Sequence, residues 1–152
     1  AEVPPAEWRA AVALVPQTPV MLPGTVAENL RAPWALALRR GTPAPDDRVL
    51  AVALASVGLG EVALDRDAAK LSVGQAARVA MLRTVLTDPR VLLLDEPDAN
   101  LDDASAAQVA FMTRTFASRG GAVVRVRHVE RGERGARRYR LEGGRLAEES
   151  CA

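Results

Sequence analysis

The sequence predicts an α/β fold built around a mostly parallel sheet, on three observations. Short continuous apolar runs at Val12–Val15, Val91–Leu94 and Ala122–Val126 read as strands. The stretches between them carry helical periodicity, and strands that alternate with helices build parallel sheets. The first two runs also end abruptly, one at Pro16 and the other in Asp95-Glu96-Pro97, as strands do when they feed loops at a sheet edge. No internal repeat, low-complexity segment or linker divides the 152 residues.

Taken in order, Val12–Val15 is expected to be a buried strand leading into a loop with strong turn chemistry, Gln17-Thr18-Pro19 and then Pro23-Gly24. Thr25-Val26-Ala27-Glu28 has the S/T-x-x-E form of a capping box and opens a short helix through Leu30. Trp34–Leu38 reads as a second helical piece, broken by Gly41–Pro45. Asp46 then caps an amphipathic helix whose apolar face is expected to include Val49, Leu50, Leu54 and Val57. After a loop around Gly58–Gly60, Ser72 is placed to cap a helix running to about Leu86, with a core-facing stripe of Val79, Leu82, Val85 and Leu86. Val91–Leu94 has the pattern of a parallel strand buried on both faces. Asp102 or Asp103 starts a helix to about Ser118, closed by Gly120-Gly121. Ala122–Val126 is the next strand, with His128 just beyond it, and Gly143-Gly144 joins Arg138–Leu141 to Arg145–Ala147 as a two-residue hairpin. Trp34 and Met81 read as packing residues, and the run through Arg137, Arg138 and Arg140 as a solvated face.

Composition narrows the function classes. Apolar residues make up 49% and charged residues 26%, an ordinary globular balance. A net charge of +1 gives no ground for nucleic acid as a partner. The one cysteine, Cys151, cannot form an internal disulfide, which fits a reducing cytosol. No apolar run reaches the roughly 18 residues that span a bilayer, so membrane contact is expected only through a partner.

Three stretches carry chemistry: Leu71-Ser72-Val73-Gly74-Gln75, then Val91–Pro97 with Asn100-Leu101-Asp102 close behind, then the lone His128. A serine and a glycine at a helix N-terminus suit an anion, because backbone N–H groups and the positive dipole end point outward. An apolar strand ending in Asp95-Glu96 delivers two carboxylates to the edge where α/β sheets bind ligands. Such an Asp can hold Mg²⁺ and such a Glu can polarise an attacking water. A histidine at the end of a neighbouring strand can stabilise developing phosphate charge.

In this order and spacing, Leu71–Gln75 resembles the LSGGQ signature of ABC ATPases, and Leu92–Pro97 resembles their Walker B strand with its catalytic glutamate. Ala99–Asp102 occupies the D-loop position, His128 the H-loop and Gln17 the Q-loop. The resemblance covers essentially the whole chain and implies a P-loop NTPase-like α/β domain. It comprises a helical and signature region, about residues 25–88, set between core strands, and a second part over 89–152. It implies that Glu96 is the general base, that His128 contacts the γ-phosphate, and that Gln17 touches the metal or attacking water. It implies further that Asp95 supports Mg²⁺, that Ser72, Gly74 and Gln75 bind the γ-phosphate of ATP held by the other subunit of a homodimer, and that Asp102 communicates across that ATP-sandwich interface. The implied partner is an integral membrane permease subunit, and the implied place is the cytoplasmic face of the bacterial cell membrane. The stretch Pro19–Trp34 looks like that of ATPase subunits from small bacterial transporters for metal (iron) export.

Three departures stand out. A P-loop, G-x-x-x-x-G-K-[ST], does not occur, and Lys70 is the only lysine. At least one strand–loop–helix unit of roughly 30 residues is therefore expected upstream of Ala1. Val73 replaces the first signature glycine, where a β-branched side chain is expected to crowd a phosphate. Arg125 and Arg127 interrupt a strand expected to be buried, where an arginine without a partner is costly. These departures support an alternative, a non-catalytic module that docks on a complete ATPase or permease.

Overall fold

The computed structural model of the chain describes residues 3–127 and 136–149. Its centre is a parallel sheet of β1 (Val12–Val15), β2 (Val91–Asp95) and β3 (Ala122–Val126), in the order β1-β2-β3. Val12 pairs with Val91 and Val91 with Ala122, so the three strands run in step and end at one edge. Arg138–Glu142 (β4) and Arg145–Glu149 (β5) form a separate antiparallel hairpin. Its turn residues Gly143 and Gly144 have φ of +56° and +76°, the left-handed pair that a two-residue hairpin turn demands.

Five helices accompany the strands among the described residues: α1 (Pro5–Ala11), α2 (Val26–Arg31), α3 (Asp47–Ser56), α4 (Val73–Val85) and α5 (Asp103–Ser118). Side-chain caps fix where four of them begin. Thr25 Oγ1 accepts from the Glu28 amide, and Glu28 Oε2 accepts from the Thr25 amide at 2.7 Å, the reciprocal box expected at α2. Asp46 caps α3, Ser72 caps α4 and Asp102 caps α5. Helix α5 closes at Gly120, whose φ of +92° suits a residue without a Cβ.

One apolar core joins the helical region to the sheet. Leu50 and Leu54 of α3, Val26 and Leu30 of α2, and Val79, Met81 and Leu82 of α4 pack with Leu92 and Leu94 of β2 and Val109, Met112 and Phe116 of α5. Polar groups are tied in as well. The Asn29 side chain is fully buried, accepts from the Leu22 amide and from Arg83 Nη1, and donates to the carbonyls of Leu22 and Thr25. Arg83 in turn donates to Val20 O at 2.9 Å, so α4 is latched to the segment that follows Gln17.

Four expectations are corrected. Helices α4 and α5 cover only one face of the sheet, so Leu92 and Leu94 are buried while Val91 and Leu93 are only partly so. Val15 of β1 is buried but Leu14, pointing the other way, is 60% exposed. Val49 is 47% exposed, because the buried stripe of α3 runs through Leu50 and Leu54 to Val57. Trp34–Leu38 is not one helical piece but two 3-10 turns, Ala32–Ala35 and Ala37–Arg39, separated at Leu36 by extended backbone. Arg39 lies over the Trp34 ring, 5.4 Å from its centroid, and donates to the Thr87 carbonyl.

Candidate functional site

The common edge of the sheet gathers the first group of candidate residues. Chain direction alone requires this: β1, β2 and β3 are parallel and adjacent, so the residues after each strand emerge side by side. Gln17 follows β1, Asp95 and Glu96 end and follow β2, and Arg127 follows β3. His128 lies outside the described residues. Gln17 is exposed, and with Pro16 and Pro19 it lines a small cleft closed by Pro97 and by Ala77, Ala80 and Met81 of α4. Asp95 is exposed on the sheet face that α4 and α5 leave open, and Glu96 is half-buried.

Glu96 has a left-handed backbone, φ +43°, uncommon for a residue other than Gly, Asn or Asp. Its N–H donates to the Val126 carbonyl at 3.1 Å, which turns the chain out of β2 against the end of β3. The same short loop presents Asp98, whose Oδ2 lies 2.7 Å from Arg125 Nη2 and 3.1 Å from Arg127 Nη2. The two arginines expected to be costly in β3 are thus paired from the neighbouring strand's loop. Burial pushes the Asp98 carboxyl up, but the hydrogen bond and charge of Arg125 and the charge of Arg127 outweigh it and hold the group below its ordinary value. Asp98 was not singled out from the sequence. Two arginines two residues apart in an apolar strand were the signal, since they call for an acidic group on the next strand's end.

The second group is a pair of helix caps. Ser72 Oγ accepts from the Gln75 amide at 3.3 Å, and Gln75 Oε1 accepts from the Ser72 amide at 3.0 Å. Val73 is the first residue of α4 and 61% exposed, with an ordinary helical backbone, so its branched side chain strains nothing. Asp102 Oδ1 accepts from the Ser105 amide and Oδ2 from the Ser105 hydroxyl, which together lower its pKa from the ordinary value. The two caps are packed together through Gly74. It is buried, and a Cβ placed there would overlap Ser105 Oγ and lie 3.7 Å from Asp102 Oδ2. The missing side chain therefore permits α4 to approach the first turn of α5. Helix α4 then runs from these caps to the cleft that Gln17 and Pro97 line.

No three His, Cys, Asp or Glu residues are grouped as a protein-only metal site among the described residues. Asp95 and Glu96 fit the other mode of Mg²⁺ binding, in which one or two carboxylates complete a shell supplied largely by phosphate oxygens and water.

A parallel α/β sheet with its acidic pair on the carboxyl edge is the general architecture of ligand-binding α/β domains. Comparison with known proteins narrows it. The profile of the ABC transporter family matches residues 3–99, well over half of the chain, and the protein belongs to that family. Protein STAR1 of Oryza sativa subsp. japonica is 39% identical over 121 residues, covering 79% of this chain and 34% of that protein. The hemin import ATP-binding protein HmuV of Roseobacter denitrificans is 40% identical over 133 residues, covering 82% of this chain and 49% of its own length. A solved structure titled as the ATP binding subunit of an ABC transporter superposes with a TM-score of 0.68 at 24% identity, covering 82% of this chain and 51% of that one, and so shares the fold. The chain spans between a third and a half of the length of these two curated relatives.

Proposed function

We propose that the chain is part of the ATP-binding and ATP-hydrolysing subunit of an ABC-type membrane transporter. One observation carries the reading: three parallel strands bring Gln17, Asp95 and Glu96 to a single edge, with the capped N-termini of α4 and α5 packed beside one another. Residues of about 25–88 form the helical and signature part, and 89–152 the part with the acidic strand, the loops after it and the closing hairpin. Glu96 is the general base and draws a proton from the water that attacks the γ-phosphate of ATP. Asp95, with Gln17, holds Mg²⁺, which supplies neutralisation of the phosphate charge when bound. His128 contacts the γ-phosphate. Ser72, Gly74 and Gln75 bind the γ-phosphate of ATP carried by a second copy across a nucleotide sandwich, and Asp102 couples the two halves. Several relatives are named as import or export ATP-binding proteins, among them proteins for hemin import and cytochrome c biogenesis. The partner is an integral membrane permease, to which the chain binds at the cytoplasmic face of the bacterial cell membrane, and metal (iron) export is the transport class we propose from the Pro19–Trp34 resemblance. No helix among the described residues is long and apolar enough to cross a membrane.

The test is Glu96→Gln in the full-length gene product assembled with its permease. Loss of at least a hundred-fold in ATP turnover with nucleotide binding retained is the expected result, and normal turnover would refute the general base. The chain by itself, which contains no G-x-x-x-x-G-K-[ST], is expected to show no turnover. Hydrolysis by the isolated chain would contradict that expectation and exclude a purely docking module.

A further inference from the structure

We propose that Asp98 is a positioning residue for Glu96: by holding Arg125 and Arg127 it pins the turn that carries Glu96 to the end of β3. The proposal rests on the reading of Glu96 as the general base, and it adds a device that this reading does not require.

The Glu96 backbone is in the left-handed region, and such a conformation persists where its surroundings over-determine it. Here the turn is fastened to β3 at two points. The first is the Glu96 N–H bond to the Val126 carbonyl. The second, two residues on, is the Asp98 carboxylate between the guanidiniums of Arg125 and Arg127, at 2.7 Å and 3.1 Å. Within the turn, the Ala99 amide donates to Glu96 O and the Leu101 amide to Asp98 O, so the segment between the two fastenings has little slack. The charges are well shielded: the side chains of Arg125, Asp98 and Arg127 are 9%, 17% and 20% exposed. Salt and water therefore weaken the cluster less than they would a surface pair. Both arginines belong to the strand end and loop that lead to His128. One carboxylate thus holds the loop after β2, which carries Glu96, against the end of β3. Asp98 acts on Glu96 through the backbone rather than on the reacting atoms.

The experiment compares Asp98→Asn, Asp98→Glu and the triple variant Asp98→Ser/Arg125→Val/Arg127→Ser. The triple variant removes all three charges together, so it avoids stranding a buried charge and keeps the test open if Asp98→Asn fails to fold. Amide hydrogen exchange at Glu96 is read in this chain, with the α3 amides as an internal reference. Turnover is read in the full-length gene product with its permease. Exchange at Glu96 is expected to rise at least ten-fold in Asp98→Asn and in the triple variant, with α3 unchanged. kcat is expected to fall at least ten-fold with KM within two-fold, and Asp98→Glu is expected to restore most of both. Unchanged Glu96 protection in the triple variant, or wild-type kcat in it, overturns the proposal. Glu96→Gln is run alongside: if it turns over normally while exchange responds to Asp98, the brace on the turn stands and the assignment of Glu96 as base is what fails.

Discussion

Replacing Gly74 by alanine separates two explanations for that glycine. If the position serves only phosphate approach, Gly74→Ala weakens nucleotide binding and leaves folding alone. The structure argues for a structural demand as well, because the added Cβ would overlap Ser105 Oγ and lie 3.0 Å from Ser105 Cβ. Overpacking of that kind costs about 1–3 kcal/mol. Loosening the Asp102–Ser105 cap adds about 1 kcal/mol, and the better helix propensity of alanine returns about 1 kcal/mol. A net loss of about 1–3 kcal/mol is expected, read by urea denaturation of the chain at neutral pH. The decisive comparison is the double variant Gly74→Ala/Ser105→Gly, which moves the space to the other side of the contact. It is expected to recover most of the loss, with a coupling energy of at least about 1 kcal/mol. Additive effects would refute the packing argument. Full stability of Gly74→Ala alone would do so more directly.

Asn29→Leu is expected to destabilise the chain by about 2–4 kcal/mol, since it strands the Leu22 amide and carbonyl and removes the acceptor of Arg83 Nη1, while the Thr25 carbonyl keeps its bond from the residue 29 backbone N–H. Urea denaturation checks it, and a change under about 0.5 kcal/mol would contradict the accounting of these bonds. Asp98 makes stability depend on pH in a definite direction. Its folded pKa is depressed, so its contribution is fully present above the unfolded value of about 3.9 and is lost as pH falls through the lower, folded one. Wild type is therefore expected to melt above Asp98→Asn at pH 7, with the gap closing at pH values below about 4. A gap that widened with acid would reverse the sign and refute it.

What was legible in the sequence was local. Capping signals at Thr25, Asp46 and Ser72 act over three residues, and those three helices start where these residues place them, while of the two aspartates open for α5 it is Asp102 that caps. The strands Val12–Val15 and Ala122–Val126, and the Gly143-Gly144 turn, were equally direct. What was not legible depends on partners far along the chain. Val49 has the right spacing for the core face of α3, yet α2 and α4 pack against the Leu50–Leu54 side. Burial of both sheet faces was inferred from an uninterrupted apolar run, but among the described residues α4 and α5 cover only one. The pairing of Arg127 with Asp98 spans 29 positions and that of Arg83 with Asn29 spans 54. The candidate site divides the same way. Motif order gave Gln17, Ser72, Gln75, Asp95, Glu96 and Asp102, whereas Asp98 and the Gly74–Ser105 packing emerge only once α5 and β3 are in place.

Capping and phosphate binding make competing claims on Ser72 and Gln75, and hydrogen-bond capacity shows that the claims are compatible. The Ser72 hydroxyl accepts from the Gln75 amide, which leaves its own O–H to donate. Gln75 uses its carbonyl oxygen toward the Ser72 amide, and the NH₂ on the same side chain plays no part in that bond. The cap thus spends acceptors and keeps donors, and donors are what a phosphate needs. Gln75→Glu tests this, because a carboxylate closes the same capping box while replacing the NH₂ by a negative oxygen. The chain should keep its stability or gain up to about 1 kcal/mol from a negative charge at the helix N-terminus. In the transporter proposed above, ATP turnover should fall at least ten-fold. Loss of both stability and turnover would mean that the amide matters to the fold rather than to the nucleotide, and retention of both would remove Gln75 from the site.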